Sequence, residues 1–337
     1  MDPPTPSTSS SSSSADTPVV APRVRRQPRP ARRWPDRLFF GIVAAVGVSV
    51  IVLAATIVGI LVYSSEYSFR VFGFAFLWGT IWNPDTNVFG AVPFIAGTLV
   101  TSGIALLIAL PLALGSALFL TTHAPQWLRG PAGTAIELLA AVPSVIYGLW
   151  GIYVLAPYMR STIEPGLQHS LGFTGLFNST PTGFGILTAG VILAIMIVPT
   201  ICAISRDTLA AVPQAQKEAA LSLGATDWET TRVAVLPYAR SGIIGGTILG
   251  LGRALGETMA VTMVIGNADR IPTSLFSPGA TIASLIANEL LSNSGPLQAS
   301  AILEAGLILL LVAILVNGGA RLFVWRALKV ASGGPVE

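Results

Sequence analysis

The chain has 337 residues, of which 52% are hydrophobic and only 10% charged, with a formal net charge of +3. Soluble domains carry about 25% charged residues, so an ordinary water-soluble globular protein is excluded. The basic residues gather on no soluble part, which removes a nucleic-acid partner as well. Several runs exceed ~18 apolar residues, the length that crosses a bilayer core of roughly 30 Å. The chain reads as an all-α polytopic membrane protein, because helices satisfy their own backbone in lipid. Its one cysteine, Cys202, lies in an apolar run, where it can form no intrachain disulfide and reads as a small buried hydrophobe.

Residues 1–36 join the unbroken run Ser9–Ser14 to many prolines and, counting on to Arg37, seven arginines. Such a segment cannot bury enough apolar surface to offset its chain entropy, and a disordered cytoplasmic tail is expected. The apolar run Leu38–Tyr63 is too long for a signal-peptide core and reads as a retained first helix. In Ser64–Gly90, Trp78, Trp82 and several phenylalanines suit a membrane interface, and Asn83-Pro84-Asp85 marks a turn. A second span is predicted over about Ala91–Leu120 and a third over about Thr134–Ala156. Each holds an internal proline, Pro111 and Pro143, which membrane helices tolerate.

Pro157–Gly183, rich in glycine, serine and threonine, reads as a loop. Phe184–Ile204 is the fourth predicted span and Tyr238–Gly266 the fifth. Within Asn267–Ala299, Ile282, Leu285, Ile286 and Leu290 share a helical face on a segment too short to span. It is expected to lie along the surface or over the outer mouth. The sixth span covers about Ser300–Phe323, inside a transmembrane domain of residues 37–330, with 331–337 as a flexible end. With the amino terminus inside, fifteen of the nineteen lysines and arginines fall on inner segments. Arg70, Arg160 and Arg270 fall outside. Both termini and Asp207–Leu236 are thereby expected in the cytoplasm.

That cytoplasmic stretch is polar between two apolar spans. The alanines and leucines of Gln214–Leu223 favour a helix, and Gly224 can take positive φ and end it. Asp227 is expected to cap a second short helix, Trp228–Val233, before Pro237 opens the fifth span. A rigid helix–turn–helix elbow of this kind suits a lever seated in a partner's groove.

The fifth span hides Arg253 and Glu257. Four residues correspond to about 400° of helical rotation, which would put them on one face, and Arg253 would lie roughly 24 Å past Pro237. An ionisable pair at that depth faces a cavity or a partner. Two readings stand side by side: an ion pair that holds helices together, and a pathway in which Arg253 offers bidentate donors to a tetrahedral oxyanion. Gly242, Gly246 and Gly250 form one row of small residues, and Gly252 and Gly256 a second. Such rows let helices approach closely, either within the subunit or against a companion.

The other carboxylates in the spans, Glu137 and Glu304, are expected to be interfacial and solvated. His123 and His169 lie in loops and are too few for a metal site. Neither lysine, Lys217 or Lys329, follows a glycine, so no phosphate-binding P-loop exists and any ATP is hydrolysed elsewhere. With no nucleophile–base constellation, the chain does not read as an enzyme.

Glu218-Ala219-Ala220, Gly224 after three intervening residues and Leu236-Pro237 after eleven more resemble the EAA loop of ATP-binding-cassette importer permeases. Ala234 stands where that family usually carries a branched aliphatic residue. Gly252-Arg253-Ala254-Leu255-Gly256-Glu257-Thr258-Met259-Ala260 resembles the phosphate branch of the superfamily. So do Trp82-Asn83-Pro84, residues 89–95 with Gly97-Thr98-Leu99, and residues 137–148. Together they look like the PstC-type permease subunits of the Pst phosphate importer, over nearly everything after residue 36.

The resemblance implies a type I ABC importer permease fold with six transmembrane helices and cytoplasmic coupling helices. Glu218, Ala219, Ala220, Gly224, Leu236 and Pro237 would contact the ATPase, and Arg253 and Glu257 would line the phosphate pathway. Glu257 would hold Arg253 when the path is empty and accept a hydrogen bond from protonated phosphate. The implied partners are a PstA-type permease, a PstB-type ATPase dimer that binds ATP-Mg, and a PstS-type phosphate-binding protein. No cofactor is expected in this chain, and the bacterial inner membrane is the implied location. A sulfate or molybdate importer, which would differ around Thr258-Met259, and a membrane phosphate sensor are the alternatives.

Overall fold

The computed structural model describes residues 33–292 and 295–332. The expected tail lies almost wholly outside the described residues, as do residues 333–337 of the expected flexible end. Among the described residues the structure is helical, with two isolated bridges, Asn83–Val88 and Gly266–Gly279, and no strand. The chain divides after Ala54 into two compact units. The first contains the amino-terminal part of α1 (Arg33–Ser64), which begins four residues inside the expected tail. Ile42, Val46, Val50 and Leu53 are exposed along it, a surface that lipid tails can cover.

The second unit opens with α2 (Glu66–Phe72) and α3 (Ala75–Trp78). Asn83 makes the expected turn, its Oδ1 accepting from the Asp85 N–H at 2.9 Å. Trp78 is exposed as expected of an interfacial residue, but Trp82 is buried. The rings of Phe89 and Phe94 meet it at 4.8 and 5.2 Å, and its Nε1 donates to Glu289 at 2.9 Å. A buried indole needs that acceptor. α4 (Val92–Leu118) continues through Pro111 and carries Ala105, Ala109, Ala113 and Ala117, all fully buried.

The third span departs from expectation. α5 (Gln126–Ala140) stops, and α6 (Ser144–Trp150) leaves at about 90° to it. Pro143 has no N–H to continue the ladder and disfavours helical geometry at Val142. The helix then runs on where a loop was expected, through α7 (Ala156–Tyr158) and α8 (Glu164–Leu171). Pro157 and Pro165 sit in the first turns of these segments, and π-helical turns at Gly151–Leu155 and Met159–Ile163 absorb the misfit.

α9 (Ile186–Ala210) is the central element, with Ile192, Leu193, Ile197 and Ile201 fully buried against α4 and its later partners. After it come α10 (Gln214–Ser222), α11 (Asp227–Thr230), α12 (Leu236–Gly256) and α13 (Met259–Val264). The fifth predicted span is therefore interrupted at Glu257–Thr258. The amphipathic segment forms α14 (Ile282–Glu289), and it is docked into the fold, with Ile282 and Leu285 buried. A side chain at Gly97 of α4 would overlap the Ala280 carbonyl oxygen, and the Ile282 N–H donates to Thr98 Oγ1 at 3.0 Å. α15 (Pro296–Ser332) is 37 residues long and runs past the expected end at Phe323. Among the described residues, five helices are long and apolar enough to cross a membrane, or six if the bent pair is one span.

Candidate functional site

The break in the third span opens the last carbonyls of α5 to side-chain donors, although the Val142 N–H also donates to Leu139 at 3.3 Å. Two side chains take them. Tyr147, one turn into α6, donates its hydroxyl to the Leu139 carbonyl at 2.8 Å. Arg253, from α12, donates a long bond of 3.5 Å from Nη1 to the Ala140 carbonyl. The same nitrogen donates to Thr200 Oγ1 of α9 at 3.3 Å. The guanidinium thus sits at the negative end of α5, a favourable place for a cation. Its other N–H groups have no protein partner among the described residues, and no carboxylate lies within ion-pair distance. Arg206 differs: Glu137 pairs with it at 2.7 Å and Asp207 at 3.0 Å. Glu137 is exposed, as expected of an interfacial, solvated carboxylate, and also serves as an ion-pair partner.

Arg253 lines a cavity of 740 Å³ whose walls include Thr200, Gly245, Gly252, Asn317 and Arg321. This volume has room for about 25 waters at ~30 Å³ each. No carboxylate is among the described residues that line it.

Glu257 does not join Arg253. α12 ends at Gly256 and Glu257 is extended (φ −69°, ψ 126°), so the 400° argument fails across the break. The Glu257 carboxylate instead accepts from the Ala260 N–H at 3.2 Å, at the start of α13. Gly256 is a poor helix former, and an acidic side chain that can bond a nearby backbone N–H competes with helix continuation. Glu304 also departs from expectation. It is 6% exposed, and its Oε2 has no hydrogen-bond partner among the described residues.

The glycines of α12 separate into two functions. A Cβ on Gly242 would overlap Thr208; on Gly246 it would lie 3.1 Å from Ile204, and on Gly250 2.7 Å from Ile201. This row therefore packs against α9 within the subunit. Gly252 instead faces Asn317 of α15, at 3.5 Å from its Nδ2, and Gly256 faces open space.

The elbow follows α9. Gly224 takes φ +87° and ends the α10 turn, with its N–H donating to Leu221 at 2.9 Å. The cap of the next helix is Thr226, not Asp227: Thr226 Oγ1 accepts from the Glu229 N–H at 3.3 Å and Glu229 returns a bond to the Thr226 N–H at 2.8 Å. α11 passes through a π-turn, Thr231–Val235, straight into α12, with Pro237 in its first turn. Val235 is the buried aliphatic residue here, beside the half-buried Ala234. Glu218 and Ala219 are exposed, Ala220 is half-buried, and Leu223 and Trp228 present 90% and 64% of their surface. Exposed apolar side chains on a polar element mark an interaction surface.

Residues 109–329 match the family described as binding-protein-dependent transport system inner membrane component. The chain belongs to this family. The phosphate transport system permease protein PstC of Pasteurella multocida is 51% identical over 83% of this chain and 88% of its own length. The protein of the same name from Mesorhizobium japonicum is 48% identical over 86% and 90%. A solved bacterial alginate ABC transporter, in complex with an alginate-bound periplasmic protein, overlays 88% of this chain and 98% of its own. That match has a TM-score of 0.59 at 16% identity and speaks to the fold alone. The permease fold expected from the EAA pattern is thus present, in a multi-pass membrane protein that serves as a transport subunit.

Sequence reasoning missed Thr200, Asn317, Arg321 and the α5 carbonyls. Asn317 had a readable signal, as the one amide in an otherwise greasy span. The carbonyls had none, because only the bend at Pro143 exposes them.

Proposed function

We propose that this chain is the permease subunit through which inorganic phosphate crosses the membrane in an ATP-driven import complex. The observation that carries the reading is Arg253, an unneutralised guanidinium oriented by Ala140 and Thr200 in the wall of a cavity without carboxylates. Such a group offers two parallel N–H donors to a tetrahedral oxyanion. The phosphate-permease names of relatives near 50% identity favour phosphate over sulfate or molybdate.

A PstA-type companion would complete the pathway, and a PstS-type protein would deliver phosphate on the outer face. A PstB-type ATPase dimer, with ATP-Mg bound in it, would seat the elbow around Glu218, Ala219, Ala220 and Gly224. Leu236 and Pro237 join that elbow directly to α12, so ATPase closure would move the helix that carries Arg253. The distribution of lysine and arginine supports both termini in the cytoplasm of a bacterial cell. Glu257 shapes the turn beyond Arg253, holding the start of α13 on the path.

In vesicles containing the assembled complex, Arg253→Ala should reduce labelled phosphate uptake at least about 100-fold, since losing a charge-assisted contact to the anion costs roughly 2–5 kcal/mol. Unchanged uptake in an assembled mutant overturns the pathway role. Sulfate or molybdate that competes as well as unlabelled phosphate overturns the choice of anion.

A further inference from the structure

α15 contributes two polar side chains to the cavity wall, Asn317 and Arg321. They are four residues apart on an unbroken helix, so they share a face at about 6 Å of axial separation. Arg321, like Arg253, has no ion pair among the described residues. The lining therefore holds two cationic groups and no anionic one, a charge balance that fits a dianion. Asn317 Oδ1 is buried and has no hydrogen-bond partner among the described residues, so its carbonyl oxygen is not committed to holding helices together. Its Nδ2 lies 3.5 Å from the position of a Cβ on Gly252, the residue preceding Arg253. With only hydrogen at Gly252, the Asn317 amide approaches α12 beside Arg253.

We propose that Asn317 and Arg321 form the α15 half of an oxyanion site whose other half is Arg253 and Thr200. The inference rests on the phosphate-pathway reading of Arg253 and extends it to a second helix. Arg253 takes two phosphate oxygens, Arg321 takes a third, and the Asn317 amide donates to whichever oxygen faces Gly252. Thr200 serves as donor or acceptor, according to whether the oxygen it meets is protonated. α12 and α15 pack against each other, so a shift between them opens the site and releases the anion. The chemistry recognised is a phosphate oxyanion, free or on a lipid headgroup, and free phosphate is the occupant assigned here.

The test uses the assembled transporter in vesicles with its binding protein and labelled inorganic phosphate, reading uptake and ATP hydrolysis together. Arg321→Gln should lower uptake about tenfold while stimulated ATP hydrolysis stays within about twofold, and Arg321→Lys should recover most of the loss. Asn317→Asp, nearly isosteric but anionic, should be worse than Asn317→Leu, which a packing role would rank the other way. Unchanged uptake in Arg321→Gln and Asn317→Asp overturns the proposal, as does a parallel fall of uptake and ATP hydrolysis in every variant. Anionic phospholipid that co-purifies with the wild type but not with Arg321→Gln assigns the site to a headgroup and overturns it too. If Arg253→Ala retains full uptake, the pathway reading itself has failed, independently of α15.

Discussion

Arg253 and Arg206 are the same residue type on neighbouring helices, and their surroundings give them opposite properties. Arg206 is neutralised by Glu137 and Asp207, whereas Arg253 meets only a carbonyl and a hydroxyl. An arginine with neutral orienting partners keeps its charge available to a ligand. A second contrast at this scale concerns Asp269, which shares a 270 Å³ pocket with Asn267, Asn288 and Glu289. Burial, and then the Glu289 carboxylate, push its pKa up to about 6. Glu289 is itself anchored by Trp82 and Gln298. A carboxyl whose folded pKa lies above its unfolded value of about 3.9 opposes folding once ionised. Stability should therefore fall as pH rises from about 4 to about 6. Asp269→Asn should remove that fall: its melting temperature should match the wild type near pH 4 and exceed it above pH 6. Identical pH profiles for the two proteins would refute the coupling.

The elements show how a local interruption builds a site. Pro143 ends α5, and the freed carbonyls of Leu139 and Ala140 become the acceptors that hold Tyr147 and Arg253. Tyr147→Phe should cost about 0.5–1.5 kcal/mol, because it removes one hydrogen bond while the Val142 N–H still donates to the same carbonyl. Thermal unfolding in detergent measures this, and no change would mean that water replaces the hydroxyl. The glycine row of α12 makes a sharper forecast. Gly250→Leu drives atoms into Ile201 and should destabilise by roughly 1–3 kcal/mol, while Gly256→Ala meets nothing within 4 Å and should be tolerated. Equal effects from the two would remove the assignment of the first row to the α9 contact. The four-residue spacing of these glycines was legible in the chain. Which row met a helix and which met a cavity was not, because that depends on the rotation of α12 relative to α9 and α15. The Arg253–Glu257 pairing failed for a related reason: helical phase holds only while the helix continues, and it ends at Gly256.

At the scale of the whole molecule, the elbow and the helix that carries Arg253 are continuous, since α11 runs through a π-turn into α12. Leu223, at the turn of the elbow, is the natural place to test its side of the membrane. The native Cys202 is buried, so a Leu223→Cys variant carries one reactive thiol among the described residues. That thiol should be shielded from an impermeant reagent in intact cells, labelled in inverted vesicles, and protected when the ATPase is bound. Labelling from outside would reverse the proposed orientation. Trp228→Asp should uncouple ATP hydrolysis from transport about tenfold or more by placing a charge in the proposed interface.

Run length and the scarcity of charge determined by themselves that this is a helical membrane protein, and the spacing of Glu218, Gly224 and Pro237 carried its resemblance to importer permeases. These are local properties, set by bilayer thickness, charge and turn geometry, and they survive without knowledge of packing. Tertiary structure alone decided the pathway wall. Arg253 meets a carbonyl 113 residues away, and Asn317 of another helix faces the neighbouring Gly252. Such meetings follow from a proline bend and from helix rotations, and neither is written in any single stretch of the chain.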